Sequence, residues 1–200
     1  MIISHPGQET TIERMLAGSL SLNANLLTMP IYAIGEHEPQ IHPSAYVHPD
    51  AIVIGNVRIG PESSVWPAAV LRGDYGSILI GSRTSIQDGT VIHCTDEHHT
   101  VIGDRVTIGH NVHIEGALIH DDCLIGSGSI VLNQSVIGPC SLIGAGALVP
   151  MRKVVPPHSR ALGIPCIIDE NTIHEHPDPE GVAGYVANAL RYRKELRRLS

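Results

Sequence analysis

The sequence predicts an all-β fold: a parallel β-helix of hexapeptide repeats, closed by one C-terminal helix. Three observations lead there. Aliphatic residues recur every sixth position over more than a hundred residues. Glycine follows many of them by one or two positions. Aromatic residues make up only 3% of the 200 residues, and phenylalanine is absent, so the core must be aliphatic and repetitive.

The aliphatic positions are Ile41, Val47, Val53, Ile59, Val65 and Leu71, then Ile80, Ile86 and Ile92, then Ile102, Ile108 and Ile114. They close with Ile119, Ile125, Val131, Ile137, Ile143, Val149 and Val155. An α-helix cannot keep such a stripe on one face, because six residues at 3.6 per turn rotate it by about 240°. A hexapeptide β-helix can. Each hexad supplies one short strand and one corner, with the aliphatic residue inward and the small residue expected to turn the corner. Three hexads close a triangular coil, and coils stack about 4.8 Å apart.

Taken along the chain, residues 1–30 precede the repeat and read as an N-terminal extension. They lack the basic start of a signal peptide, and Met29 offers a second start site. Residues 31–165 carry the coils. The repeat ends at "VPPHSRALGIPC", and residues 166–200 form a C-terminal segment. Within it a helix is expected from Pro179 and Glu180, with Val182, Tyr185, Val186, Ala189 and Leu190 as the face packed on the coils.

The repeat breaks in three places. Leu71 to Ile80 holds three extra residues, Ile92 to Ile102 four, and Ile114 to Ile119 is one short. Irregularities in a solenoid concentrate near function.

Bulk properties exclude some classes. A formal charge of −7 with pI near 6.0 argues against nucleic acid and anionic membrane as partners. Cys94, Cys123, Cys140 and Cys166 form no C-x-x-C pair, which suits a reduced cytoplasmic chain. No apolar run reaches transmembrane length.

The coil also serves as a ruler. Arg72, His93 and Glu115 each directly follow an inward residue, so they are expected in one vertical column, one coil apart. Asp88 and His110 each stand two after an inward residue and form a second column at another corner. His93 and Glu115 can approach one metal ion. His110 lies about five residues further round, roughly 16 Å away by extended-strand rise. It reaches the same ion only from a neighbouring subunit, and a three-sided prism suits threefold packing. The plainer readings are a solvated Glu115 corner, an ordinary surface pair of Arg72 with Asp74, a turn-stabilising Gln87 and Asp88, and a solvent-facing His113.

"VWPAAVLRGDYGSILIGSRTSIQDGTVIH" followed by "TVIGDRVTIGH" resembles the γ-class carbonic anhydrase family, from about Ile31 to the C-terminal helix. That resemblance implies a left-handed β-helix homotrimer with zinc, or iron or cobalt, at each subunit interface and carbon dioxide and bicarbonate as substrate and product. It places histidine ligands on His93 and His110, an interface ion pair on Arg72 and Asp74, and an active-site glutamine and aspartate on Gln87 and Asp88. Tyr185 matches a tyrosine of the C-terminal helix, and Asp96 a proton-shuttle position. The family's third histidine falls on Glu115, and its T-N-I-Q-D reads T-S-I-Q-D here, with Ser85. A His₂Glu shell is a legitimate zinc site with an open position, but its carboxylate makes the ion a weaker Lewis acid. Metal-dependent hydration is therefore the first expectation. A non-catalytic trimeric scaffold or small-ligand binder is the second, and acyl transfer on the same fold the third.

Overall fold

The computed structural model describes residues 30–199. All of the expected extension but its last residue, the Met29 start included, lies outside the described residues.

The period of six is realised as a left-handed parallel β-helix of about seven turns with one C-terminal helix. Of the inward aliphatic positions named above, all are buried except Ile41, which is partly buried against the core. Stacking is in register: Ile86, Ile108, Ile125 and Ile143 sit directly over one another in consecutive coils. A fully buried aliphatic side chain contributes about 1.5–3 kcal/mol, and this ladder repeats on all three faces. Eight strands build one face. Twelve build the other two, because Ile52–Ile59 and Val70–Ile80 run unbroken round their shared corner. The last strand, Ile167–Asp169, turns back antiparallel on Arg160–Leu162 and ends the stack.

The corners differ from the sequence expectation in one respect. Glycine directly after the inward residue is not the residue that turns. The left-handed backbone lies two positions later, on Glu62, Arg83, Arg105, Cys140 and others. The glycine is needed for close stacking instead: a Cβ on Gly126 would stand 2.4 Å from the Ala145 amide nitrogen, and one on Gly138 2.4 Å from that of Pro157.

All three irregularities fall at a single corner, in consecutive coils. The first is a bulge inside Val70–Ile80, where the register with Ile52–Ile59 shifts. The second is the Cys94–His99 loop between strands Val91–His93 and Thr100–Ile102. The third is a shortened turn at Gly116, whose φ is +56°.

The helix spans Pro179–Glu195 and lies on the eight-stranded face. Its cap, Asp178, accepts hydrogen bonds from the Gly181 amide (3.1 Å) and from Thr107 Oγ1 (2.7 Å), which ties the helix start to the coil. Val182 and Ala189 are buried, and Tyr185 and Tyr192 pack edge-on against Trp66 at 5.6 and 5.1 Å. Leu190, expected in this face, is 62% exposed. The stripe packed on the coils follows the buried Val182 and Ala189 with the partly buried Tyr185 and Tyr192 at helical spacing, which turns Leu190 outward. At the other end Arg193 donates to the carbonyls of Pro43 and Ala45. Among the described residues no helix is long and apolar enough to cross a membrane.

Candidate metal centre

The first column forms as the hexad spacing requires: Arg72 pairs with His93, and His93 with Glu115, in adjacent parallel strands. One-residue alternation turns all three outward, since Leu71, Ile92 and Ile114 beside them point in. His93 is hemmed in on both sides. Its Nε2 lies 3.0 Å from Asp74 Oδ1, and its Nδ1 lies 3.6 Å from Glu115 Oε1. Asp74 projects from the bulge and also accepts from Arg72 Nη1, so the Arg72–Asp74 pair closes within one chain. Burial pushes the Asp74 carboxyl up, but hydrogen bonds from His93 and Arg72 outweigh it and hold the carboxyl below its usual range.

This geometry sets a chemical condition. When Nε2–H donates to Asp74, the Nδ1 lone pair faces a Glu115 oxygen. The two acceptors stand 3.6 Å apart, an arrangement that a bound metal ion would satisfy. Tetrahedral zinc with bonds of about 2.0–2.1 Å holds neighbouring donors ~3.3 Å apart. The His93–Glu115 pair therefore fits such an ion with little movement.

A buried hydroxyl fixes the spacing of these two coils. Thr100 Oγ1 donates to the His93 carbonyl (2.5 Å) and accepts from the Gly116 amide (2.9 Å). The direct bond from Gly116 to His93 O is long, at 3.4 Å, so Thr100 bridges the ladder at the shortened turn. The spacing rule could not reveal this, because the loop places Thr100 there.

The second column also forms. His110 Nδ1 lies 3.0 Å from Asp88 Oδ2. Gln87 is buried beside them and, with Thr107, Gly109, Ser127, Asp178 and Tyr185, lines an open cleft of about 450 Å³. Burial pushes the Tyr185 hydroxyl up, with Asp88 and Asp178 adding to it, so it stays protonated as a donor. Asp96 stands exposed in the Cys94–His99 loop.

The structure thus gathers Arg72, Asp74, His93 and Glu115 at one place. It sets Gln87, Asp88, His110 and Tyr185 at another. His93 ends a strand of the twelve-stranded sheet, whereas His110 stands in the turn after the Thr107–Ile108 strand of the eight-stranded sheet, and among the described residues of one chain no three His, Cys, Asp or Glu side chains converge as a metal-binding group. His113, read from sequence as a solvent-facing residue, is 41% exposed and points its Nε2 at Glu115 Oε2, 3.6 Å away. Strand alternation was the available signal, since residues two apart share a face.

A family described as bacterial transferase hexapeptide (six repeats) matches residues 116–150. A carbonic anhydrase from Geobacillus kaustophilus is 37% identical over 167 residues, covering 83% of this chain and 92% of that protein. The chain belongs to the γ-class carbonic anhydrase family. The carnitine operon protein CaiE of Escherichia coli K12 is 39% identical over 114 residues, which is 57% of this chain and 58% of CaiE. Among solved structures, a hexapeptide transferase family protein from Anaplasma phagocytophilum superposes with a TM-score of 0.78 at 30% identity, covering 83% of this chain and 99% of that one. The family thus includes members named for hydration chemistry and others named otherwise, and the side chains of the centre must decide between them.

Proposed function

We propose that the chain forms a homotrimer that catalyses reversible hydration of carbon dioxide to bicarbonate at a metal shared between subunits. His93 and Glu115 of one subunit and His110 of the partner subunit would hold the ion. Zinc suits this donor set, with iron or cobalt as substitutes. The observation that carries the reading is the pair of acceptors, His93 Nδ1 and Glu115 Oε1, converging at 3.6 Å, with His110 held a face away by Asp88. Assembly is supported by the outward column of that face, where Val91 and Ile130 remain 38% and 41% exposed.

A bound divalent ion supplies a water acidic enough to act as nucleophile near neutral pH. The residues of the chain do the rest. Asp74, anchored by Arg72, fixes the His93 ring. Asp88 holds Nδ1 of His110 and leaves its Nε2 free. The buried Gln87 amide and the Tyr185 hydroxyl line the adjoining cleft and orient the substrate. Asp96, on its exposed loop, passes the proton to solvent. Metal analysis of the purified protein, light scattering, and a hydration assay with and without chelator test this. A trimer with bound metal and chelator-sensitive hydration is expected. A monomer, or a metal-loaded trimer without activity, would overturn it.

One observation favours a second reading, a trimeric scaffold or small-ligand binder. Glu115 places a carboxylate where an imidazole would keep the ion more electrophilic. A metal-free, inactive trimer would select that reading. Acyl transfer draws support from the fold, from the transferase description of the matching family and from the names of solved neighbours.

A further inference from the structure

The outward column on the metal-bearing face runs Val70, Val91, His113, Ile130 and Leu148. His113 is its one polar member. An imidazole in an otherwise aliphatic column, on the face argued above to meet another subunit, carries a desolvation cost that an aliphatic residue would avoid. Its position suggests what offsets that cost. His113 and Glu115 share one strand and one side of it, and the Glu115 carboxylate lies between two imidazoles. Oε1 faces His93 Nδ1 and Oε2 faces His113 Nε2, each at 3.6 Å.

We propose that His113 is a positioning residue for Glu115. Its Nε2–H holds Oε2, so that only Oε1 is presented to the point shared with His93. The proposal rests on the metal-centre reading above and adds to it how a glutamate serves as ligand there. A glutamate carboxylate pivots on three side-chain bonds and can engage an ion through one oxygen or two. A donor on Oε2 selects one oxygen and one orientation, and it draws negative charge away from the oxygen at the ion. Both effects keep the ion more electrophilic than an unheld carboxylate would. At 3.6 Å the pair is at ion-pair distance, and a small side-chain rotation closes it to a hydrogen bond.

The test uses cobalt(II) as the probe on the full-length protein. Affinity is read by competition with a chelator, and ligand geometry by the visible absorption of the bound ion. His113→Leu matches its aliphatic neighbours, so folding and assembly should survive, as checked by light scattering. It should weaken cobalt binding 10–100-fold and alter the absorption band. His113→Gln restores an N–H donor and should bind within about threefold of the unsubstituted protein. If the unsubstituted protein binds cobalt and His113→Leu binds it equally well with an unchanged band, the role of His113 is wrong while the metal centre stands. If the unsubstituted protein binds no cobalt, both are wrong.

Discussion

Thr100→Val removes one hydroxyl and little else. Thr100 is fully buried, and its Oγ1 joins the His93 carbonyl to the Gly116 amide at 2.5 and 2.9 Å. Each hydrogen bond contributes about 1 kcal/mol net, and an orphaned buried partner costs about 1–3 kcal/mol. The orphaning is partial here, because the Gly116 amide keeps its 3.4 Å contact with His93 O. The added methyl returns about 0.8 kcal/mol. The balance is a loss of about 2–3 kcal/mol, or roughly 5–10 °C in Tm for a chain of this size. Thermal unfolding by circular dichroism, at fixed protein concentration, measures it. Thr100→Ser keeps both bonds and should lose less than half as much. Since the same hydroxyl spaces His93 from Glu115, Thr100→Val should also weaken metal binding. A Tm within about 1 °C of the unsubstituted protein would refute the bridging role.

Glu115→His should tighten zinc binding by about tenfold and raise hydration activity, because a neutral imidazole leaves the ion more electrophilic. An assembled variant that binds no more zinc would mean that position 115 is not at the metal. Of the four cysteines, Cys94, Cys123 and Cys166 are buried, and burial pushes the Cys123 thiol up to about 12. A thiol reagent should therefore label Cys140 alone in the native protein and all four after denaturation; fast native labelling of a second thiol would contradict the packing. Burial lowers the His48 pKa from 6.5, with Asp50 and Asp88 opposing it less strongly. A depressed value means that its stability contribution is present above pH 6.5 and is lost as pH falls through the folded value. Urea titrations at pH 7 and about pH 5 should show a smaller acid loss in His48→Gln, and an equal loss would contradict this.

Much of this was legible in the sequence because the β-helix converts spacing into position. Counting hexads from Leu71, Ile92 and Ile114 placed Arg72, His93 and Glu115 in one column, and the strand pairs agree. The same count separated His110 from His93. What it missed was set by three-dimensional detail that spacing does not encode. Thr100 reaches Gly116 because the four-residue insertion folds back over a turn that is one residue short. Glycine beside the inward residues is required by the approach of the next coil rather than by its own φ, and both would leave the same mark in a sequence. Leu190 satisfies a helical stripe on paper, yet it is Tyr192 that packs its ring on Trp66. His113 stands out only against its aliphatic column, which the alternation within its own strand does not show.

The central claim is that one centre draws ligands from two subunits. Mixing His93→Ala chains with His110→Ala chains, unfolding them and reassembling them tests it most directly. Neither variant alone should bind metal. In a mixed ring, each junction that pairs an intact His93 with an intact His110 across the interface restores a centre. Random assembly of equal amounts therefore restores about one centre in four. Zinc content and hydration activity near a quarter of the unsubstituted protein's are expected. Mixed trimers without metal, beside unsubstituted trimers that bind it, would contradict the claim.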